Sequence, residues 1–473
     1  MKQGSRIPRR VLALAVLCAA LFSAALPERL AISSNHRFLQ YQSGAPFFWL
    51  ADTGWLLFAR LDRSEALRYL DDRQKKGFNV IQVLALHTAA VTSPYGVAAL
   101  VERDPGRPNV TPGGDLDKPG EYDYWDHADW IVDRAAERGI VIAIVPAWGS
   151  IVKAGQLNES NVAAYASFLA RRYKDKPNVV WINGGDIEGG PQRAVWVEMG
   201  RTLKAQDPGH LITFHPFGRT QSSTWFHDEA WLDFNMFQSG HQNYAQDTSS
   251  PRRYGEDNWR YAREDYARSP AKPVVDGEPS YENIPQGLHD AKQPYWTAAD
   301  CRRYAWWSVF AGAFGHTYGD NAVMQFYKPG DKPSYAPLAY WDKAIDDPGA
   351  GQMQYLKRLI LSRPYFDRIP DQTLIAGENG ARYDYLAATR GLSYALVYSY
   401  TGRPFEVRMG VIGGTRVRAW WYSPRDGSAR EIGSFDNKGV LRFTPPGTPA
   451  PGNDWALVLD DEAAKFPAPG SAK

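Results

Sequence analysis

Residues 140–148 read IVIAIVPAW, and residues 178–186 read NVVWINGGD. Both runs are rich in Val and Ile and show little alternation of polar and apolar side chains, which is typical of strands covered on both faces. Six comparable runs lie at 46–51, 78–86, 211–216, 233–238, 273–277 and 311–318. Eight strands that alternate with helical patterns between residues 31 and 370 predict an α/β fold, a (β/α)₈ TIM barrel.

The segments between these runs fit the same architecture. Amphipathic helices are predicted at 64–76, 124–138, 161–174 and 297–310, the first with Ser64 as its N-cap. Long polar stretches at 93–122, 241–258 and 325–350 are predicted to be loops on the barrel rim. An open, doubly wound sheet is the alternative fold, but no Gly-rich phosphate-binding motif follows the first strand.

The pattern of predicted secondary structure changes at about residue 371. Short strand-like runs follow one another, separated by turn signals such as Asp426-Gly427. This pattern predicts a small antiparallel β-sandwich over residues 371–461. The last residues, 462–473, are rich in Ala, Pro and Gly and are predicted to be a disordered tail.

The first 25 residues have the features of a signal peptide. A basic start precedes an apolar run at 11–22, and the small residues Ser23, Ala24 and Ala25 suit a cleavage site after Ala25. We therefore expect a secreted or periplasmic protein. An uncleaved N-terminal anchor is the alternative, although the apolar run is short for a membrane span.

The net charge of the chain excludes some classes of binding partner, and its cysteine content excludes an internal disulfide. Of the 54 Lys and Arg residues, four lie in the first 25 residues, which leaves 50 basic against 52 acidic residues and a net charge of −2 after cleavage. No basic block remains for nucleic acid or for an anionic membrane, so neither is an expected partner. Only Cys301 remains, so no internal disulfide is expected.

Polar and aromatic residues gather where the predicted strands end, which is where TIM barrels place their active sites. Hydrogen-bonding groups and flat aromatic faces together suit an oligo- or polysaccharide substrate. The candidate substrate-binding residues are Asp52, Trp55, His87, Trp148, Asn183, His215, Gln238, Tyr281, His316 and Tyr318. For Asp52, a structural turn residue is an equal alternative.

Asp186 and Glu278 are the candidate catalytic residues, because they follow the fourth and seventh strands on opposite sides of the barrel. Cleavage of a glycosidic bond needs one carboxylic acid to protonate the leaving oxygen and a second carboxylate to attack carbon or activate water. Glu188 is an alternative acid, and Asp276 is an alternative nucleophile or a supporting residue. A helix cap for Asp186 and an arginine partner for Glu278 are the structural alternatives.

Other chemistries find little support in the sequence. His87, His215, His241 and His316 lie on different predicted strands, and there is no His-Glu-x-x-His motif, so we predict neither a metal nor a cofactor. The Gly-x-Ser-x-Gly motif of serine hydrolases is also absent.

Four motifs resemble the apiosidase-like family of glycoside hydrolases: WLADTGW at 49–55, GFNVIQ at 77–82, WINGGD at 181–186 and GEPSYE at 277–282. The C-terminal segment resembles the collagen-binding-type β-sandwich often fused to such barrels. The resemblance implies hydrolysis of side chains of the pectin rhamnogalacturonan-II. It also implies Asp186 as general acid/base and Glu278 as nucleophile of a retaining mechanism.

Two points stay open from the sequence. Asp186 stands where such barrels more often carry Glu, and its shorter reach leaves inversion as an alternative to retention. A non-catalytic polysaccharide- or matrix-binding protein with a vestigial barrel is the alternative function. The presence of both carboxylates favours an enzyme.

Overall fold

The computed structural model describes residues 28–247 and 254–471. The predicted signal peptide at 1–25 therefore lies outside the described residues. Among the helices that are described, none is long and apolar enough to cross a membrane.

All eight predicted barrel strands are present. They are β1 (Trp49–Thr53), β2 (Val80–Leu84), β3 (Val141–Val145), β4 (Val179–Ile187), β5 (Ile212–Pro216), β6 (Asn235–Gln238), β7 (Val274–Asp276) and β8 (Gly315–Tyr318). Nearly every residue in them is buried, which explains why strands such as β3 show no regular alternation of polar and apolar side chains.

The strands form one parallel sheet in the order β5-β4-β3-β2-β1-β8-β7-β6. β8, the last barrel strand in the sequence, pairs with β1, the first. Between β5 and β6, the amide of Asp233 donates to the carbonyl of Ile212 at 2.8 Å, and the Thr213 hydroxyl donates to the carbonyl of Phe234 at 2.7 Å. A short antiparallel strand, Thr220–Gln221, pairs with β6. The result is a nearly closed TIM-type barrel.

Helices surround the barrel. The longer ones are α1 (Arg63–Lys75), α2 (Tyr124–Ala136), α3 (Val162–Tyr173), α4 (Arg193–Gln206), α5 (Trp259–Tyr266), α6 (Ala298–Phe310) and α7 (Pro348–Leu361). Short helices lie at Leu57–Arg60, Gly149–Lys153, Ser223–Phe226, Asn321–Met324 and Trp341–Ala344, and 3₁₀ turns lie at Val101–Arg103, Gln372–Leu374, Arg382–Asp384 and Glu462–Ala464.

The predicted N-cap of α1 is wrong. Asp62, two residues before Ser64, accepts the amide of Glu65 at 2.9 Å, and the Glu65 carboxylate accepts the amide of Asp62 at 3.0 Å. This reciprocal capping box satisfies two free amides at once, which a Ser64 cap could not do here.

Antiparallel strands precede and follow the barrel in the sequence. Leu30–Ile32, Leu39–Tyr41 and Pro46–Phe47 form a small sheet before β1. After α7, a six-stranded sheet has the order Ile369–Pro370, Leu386–Arg390, Tyr394–Ser399, Trp455–Asp461, Arg416–Tyr422 and Ala429–Asp436. A three-stranded sheet of Ile375–Ala376, Phe405–Arg408 and Val440–Phe443 faces it across a core of its own. The predicted β-sandwich is thus confirmed, and it begins at Ile369.

The sandwich packs tightly on the barrel through α6. Trp306 of α6 stacks on Tyr398 with ring centroids 5.1 Å apart, and both belong to one apolar core that continues into the barrel. Arg302 of α6 donates to both carboxylate oxygens of Asp454 at 2.9 and 2.8 Å, and this ion pair is almost completely buried. Barrel and sandwich therefore share one continuous interior.

The prediction of a disordered tail is wrong for residues 462–471. The amide of Gly470 donates to the Ser362 hydroxyl at 3.1 Å, and Arg358 donates to the Gly470 carbonyl at 3.1 Å. Both partners come from the end of the barrel domain, so tertiary contacts hold a segment whose composition alone favours disorder.

We expect Asp454→Ala to lower the free energy of unfolding by about 3–5 kcal/mol, because the buried Arg302 guanidinium would lose its carboxylate. Urea denaturation followed by tryptophan fluorescence measures this change. Arg416→Ala is the matched control, since it removes an ion pair with Asp436 on the exposed face of the same sandwich and should cost less than about 1 kcal/mol. Equal effects of the two substitutions would contradict the interpretation of the interface.

Candidate active site

A cavity of about 460 Å³ opens at the carboxyl ends of the barrel strands, and both candidate catalytic carboxylates line it. Its walls combine aromatic, apolar and polar side chains from the strand ends and the rim loops. The lining residues are Trp55, Trp148, Asp186, Phe217, Gly218, Arg219, Gln238, Gly240, His241, Gln242, Glu278, Tyr281, Ile284, Gly287, Leu288, His289, Met324 and Tyr335. The volume lies within the range of about 300–1,000 Å³ usual for small-ligand sites.

Glu278 follows β7 and lies between two histidines. His241 Nε2 lies 3.1 Å from its Oε1, and His215 Nε2 lies 3.0 Å from its Oε2, although this second contact is not aligned as a linear hydrogen bond. Burial alone would raise the pKa of the Glu278 carboxyl. Hydrogen bonding to the two histidines, together with their electrostatic attraction, outweighs burial and holds that pKa well below its ordinary value.

His215 also contacts the backbone that carries the second carboxylate. The amide N–H of Asp186 donates to His215 Nδ1 at 3.2 Å. Since Nδ1 accepts this hydrogen bond, it carries no proton, and geometry assigns the ring proton to Nε2, which faces Glu278. One imidazole thereby contacts both the backbone of Asp186 and the carboxylate of Glu278.

Asp186 lies in a bulge at the end of β4. Regular pairing with β5 is interrupted between Gly184 and Ile187, and Gly184 and Gly185 have φ values of 87° and 122°. A side chain at Gly185 would come within 2.6 Å of the Trp148 ring. Glycine is therefore required where the backbone turns to bring Asp186 into the cavity.

The Asp186 carboxyl reaches solvent in the cavity, yet protein atoms surround it on most sides. Its pKa is raised, first because these atoms displace water and second because the negative charge of Glu278 is near. His215, His241 and a hydrogen bond from Gln238 oppose this shift without cancelling it. The two carboxyl pKa values thus move in opposite directions.

Aromatic side chains support this pair. The Trp55 indole N–H donates to the Tyr281 hydroxyl at 2.9 Å, and the Tyr281 ring lies edge-on to His241 at 4.6 Å. Burial, followed by the Glu278 charge, raises the Tyr281 pKa well above its ordinary value, so its phenol stays protonated. Trp55 and Trp148 lie 5.6 Å apart by ring centroids at the cavity wall.

The alternative carboxylates are placed differently. Glu188 is exposed and does not line the cavity. Asp276 is completely buried and accepts from Ser239 at 2.6 Å and from Asn258 at 3.0 Å, and burial raises its pKa to about 7. Asp276 therefore holds the segment before His241 and has no access to the cavity.

Four predicted substrate contacts are wrong, because their side chains belong to the protein interior and do not line the cavity. Asp52 accepts from Tyr69 and from Arg73, both at 2.6 Å. Asn183 donates to the carbonyl of Trp196 at 2.7 Å. Asp52 is thus a structural residue, although it lies within β1 and not in the turn that was the alternative from the sequence.

The other two wrong contacts lie on β8. His316 Nδ1 lies 3.1 Å from the Ser308 hydroxyl, and the Tyr318 hydroxyl donates to Glu282 at 2.6 Å. Burial lowers the pKa of His316 to about 3, so this imidazole is neutral. Glu282 also accepts the amide of Gly349 at 2.9 Å, which makes it a link between the β7 loop and α7.

His87 and His215 also fall outside the cavity lining. His87 is half-buried, and burial followed by the charge of Arg60 lowers its pKa. His215 lies completely buried behind Glu278, so it acts on the carboxylate and has no surface for a substrate. Trp55, Trp148, Gln238 and Tyr281 do lie in the cavity wall, and their contact with substrate stays a prediction.

Sequence reasoning missed the contribution of the rim loops. Arg219, His289 and Tyr335 line the cavity, and His241 contacts Glu278, a contact that no sequence motif indicates. Arg219 follows β5, and its guanidinium lies 3.1 Å from Asp247. The polar stretches at 241–258 and 325–350 were the available signal, since two of these residues lie within them.

Comparison with known proteins identifies the fold and the family. Residues 33–367 match the family model described as "Apiosidase-like, catalytic domain". Residues 369–460 match the model described as "Putative collagen-binding domain of a collagenase". Among curated proteins, none matches this chain.

Two solved structures are similar over nearly the whole chain. A glycoside hydrolase structure is 47% identical, with a TM-score of 0.87 over 93% of this chain and 98% of its own. A family 5 glycoside hydrolase from Bacteroides vulgatus is 46% identical, with a TM-score of 0.87 over 93% of this chain and 95% of its own. With the family model covering most of the chain, these matches show that the protein belongs to the apiosidase-like family and is a glycoside hydrolase.

Proposed function

We propose that the protein is an exported, retaining glycosidase that removes side chains from a plant cell-wall polysaccharide such as the pectin rhamnogalacturonan-II. Asp186 acts as general acid/base and Glu278 as nucleophile. The observation that carries these roles is the opposite shift of the two carboxyl pKa values within one cavity. Paired carboxyl groups whose surroundings separate their pKa values are typical of an acid and a base.

In the first step, the Glu278 carboxylate attacks the anomeric carbon while Asp186 gives its proton to the leaving oxygen. In the second step, Asp186 takes a proton from water, and the hydroxyl attacks the anomeric carbon and releases Glu278. The contacts from His215 and His241 keep Glu278 ionised and aimed at the cavity. The raised pKa of Asp186 lets it hold its proton to a higher pH than an ordinary aspartate would.

The support for the substrate is of two kinds. The cavity pairs the indole rings of Trp55 and Trp148 with polar groups such as Gln238, a combination that suits the apolar faces and hydroxyl groups of sugars. The choice of pectin rests on the family alone. Export rests on the basic and apolar residues of segment 1–25.

We expect Asp186→Asn and Glu278→Gln each to lower kcat by at least about 10²–10⁴-fold, because each removes a proton donor or an attacking carboxylate. Rates are measured on the glycan that the wild-type enzyme cleaves fastest. Glu188→Gln is the matched control and should retain the wild-type rate, since Glu188 is exposed outside the cavity. Near wild-type turnover by Asp186→Asn would exclude Asp186 as the acid.

The pH profile of kcat/KM should be bell-shaped, with its acidic limb set by ionisation of Glu278 and its alkaline limb by loss of the Asp186 proton. His241→Ala removes one of the two groups that lower the Glu278 pKa. The acidic limb should therefore move to higher pH. His87→Ala, a histidine outside the cavity, should leave that limb in place, and an unmoved limb in His241→Ala would contradict the role of this contact.

The mature enzyme should be found in the periplasmic or extracellular fraction as a chain that begins at Leu26, which mass spectrometry can identify. Incubated with rhamnogalacturonan-II oligosaccharides, it should release a sugar whose first-formed anomer has the configuration of the substrate. Proton NMR during the first minutes, before mutarotation, distinguishes this from inversion. An inverted first product would assign Glu278 as general base in place of nucleophile.

A further inference from the structure

Tyr335 lies on the loop that follows β8, and its side chain lines the cavity together with Asp186 and Glu278. It comes from the predicted rim loop 325–350, far in sequence from the strand-end motifs. The ring of His289, from the loop after β7, lies 5.6 Å from its own ring. Two rim loops thus meet at this side chain.

The backbone around Tyr335 is held at several points by side chains. Asn321 Nδ2 donates to the Tyr335 carbonyl at 2.8 Å and to the Asn283 carbonyl at 3.0 Å. Since Asn283 belongs to the segment that follows Glu278, Asn321 ties Tyr335 to the part of the chain that carries the nucleophile.

Further bonds hold the two neighbours of Tyr335. Gln325 donates to the Ser334 carbonyl at 2.9 Å and accepts the Ser334 amide at 2.8 Å. The Tyr295 hydroxyl donates to the Ala336 carbonyl at 3.2 Å. Residues 334–336 are therefore fixed individually, although they lie in an exposed loop.

This anchoring maintains an unfavourable backbone conformation. Tyr335 and Ala336 have φ values of 58° and 47°, a left-handed region that residues other than glycine rarely adopt. Such conformations persist only where the surroundings impose them, and they concentrate at ligand-binding sites. Here the imposed conformation directs the Tyr335 side chain to the cavity.

The Tyr335 hydroxyl has no hydrogen-bond partner among residues 28–247 and 254–471. Burial, followed by the charges of Glu278 and Asp186, raises its pKa, so the phenol remains a hydrogen-bond donor. A protonated donor without a partner, close to both catalytic carboxylates, is available to a ligand.

We propose that Tyr335 is a substrate-binding residue, which places its ring against the sugar held between Asp186 and Glu278 and donates its phenolic hydrogen to an oxygen of that sugar. This inference rests on the proposed glycosidase function. It assigns to the loop after β8 a direct part in recognition of the sugar ring. Packing of the loop is the competing explanation, and it predicts no change in affinity when only the hydroxyl is removed.

The test measures binding and turnover separately. The Glu278→Gln enzyme is titrated with rhamnogalacturonan-II oligosaccharides by calorimetry, alone and combined with Tyr335→Phe, Tyr335→Ala or Tyr340→Ala. Tyr340 is the matched control, since it is 40% exposed on the same loop, packs on Tyr327 with ring centroids 5.0 Å apart and does not line the cavity. The same single substitutions are assayed for kcat and KM in the active enzyme.

We expect Tyr335→Phe to weaken binding by about 3–10-fold, the usual range for one neutral hydrogen bond. Tyr335→Ala should weaken it by about 10–100-fold because the ring contact is lost as well. Tyr340→Ala should bind like the parent. Unchanged affinity in both Tyr335 variants would overturn the assignment, even if the wild-type enzyme cleaves the glycan.

Weaker binding in the Tyr335 variants together with no cleavage by the wild type would overturn the glycosidase proposal for this glycan and leave Tyr335 as a binding residue. If the Glu278→Gln enzyme binds none of the oligosaccharides, both proposals fail for pectin. Should Tyr335→Ala not fold, Tyr335→Phe alone decides, because it leaves the ring and the loop bonds in place.

Discussion

The His215 imidazole is the contact on which the active site depends. Its Nδ1 accepts the amide of Asp186, and its Nε2 lies 3.0 Å from Glu278, so one ring fixes the distance between the two chain segments that carry the carboxylates. The same ring helps to move the two carboxyl pKa values apart. It stabilises the negative charge of Glu278, and that charge in turn raises the pKa of Asp186. A buried carboxylate without such donors would instead take up a proton and could not serve as the nucleophile that we propose.

The rest of the molecule keeps this arrangement rigid. His215 comes from a barrel strand, and the rings of Trp55 and Trp148 lie 5.5 and 5.6 Å from it. The sandwich contributes from outside: the Tyr383 hydroxyl donates to Glu256, which also accepts the amide of Tyr244 in the loop that carries His241. Because the sandwich shares its core and the buried Arg302–Asp454 pair with the barrel, it is a structural part of the enzyme, whatever else it binds.

The sequence was informative where one physical constraint dominates. Strands buried on both faces lack a regular alternation of polar and apolar residues, and runs such as 140–148 were recognisable for that reason. Position at a strand end, however, does not tell which way a side chain points. Asp52 and His316 lie at such ends and turn into the interior, where Arg73 and Ser308 contact them. Tyr335 and Arg219 depend on loop conformations that leave no periodic pattern, so only the folded chain brings them to the cavity.

The short side chain of Asp186 finds its explanation in the backbone. The carboxyl group of Asp reaches less far than that of Glu, and the bulge after Gly184 turns the backbone where Asp186 lines the cavity. This turn needs Gly185, because any side chain there would meet Trp148, and it includes a left-handed conformation at Asp186 itself, with φ of 48°. The His215 hydrogen bond to the Asp186 amide holds this strained residue in place. The backbone at position 186 is therefore set by the bulge, by Gly184 and Gly185, and by the hydrogen bond to His215. This backbone suits the short side chain of Asp, and the longer side chain of Glu would not fit it equally well.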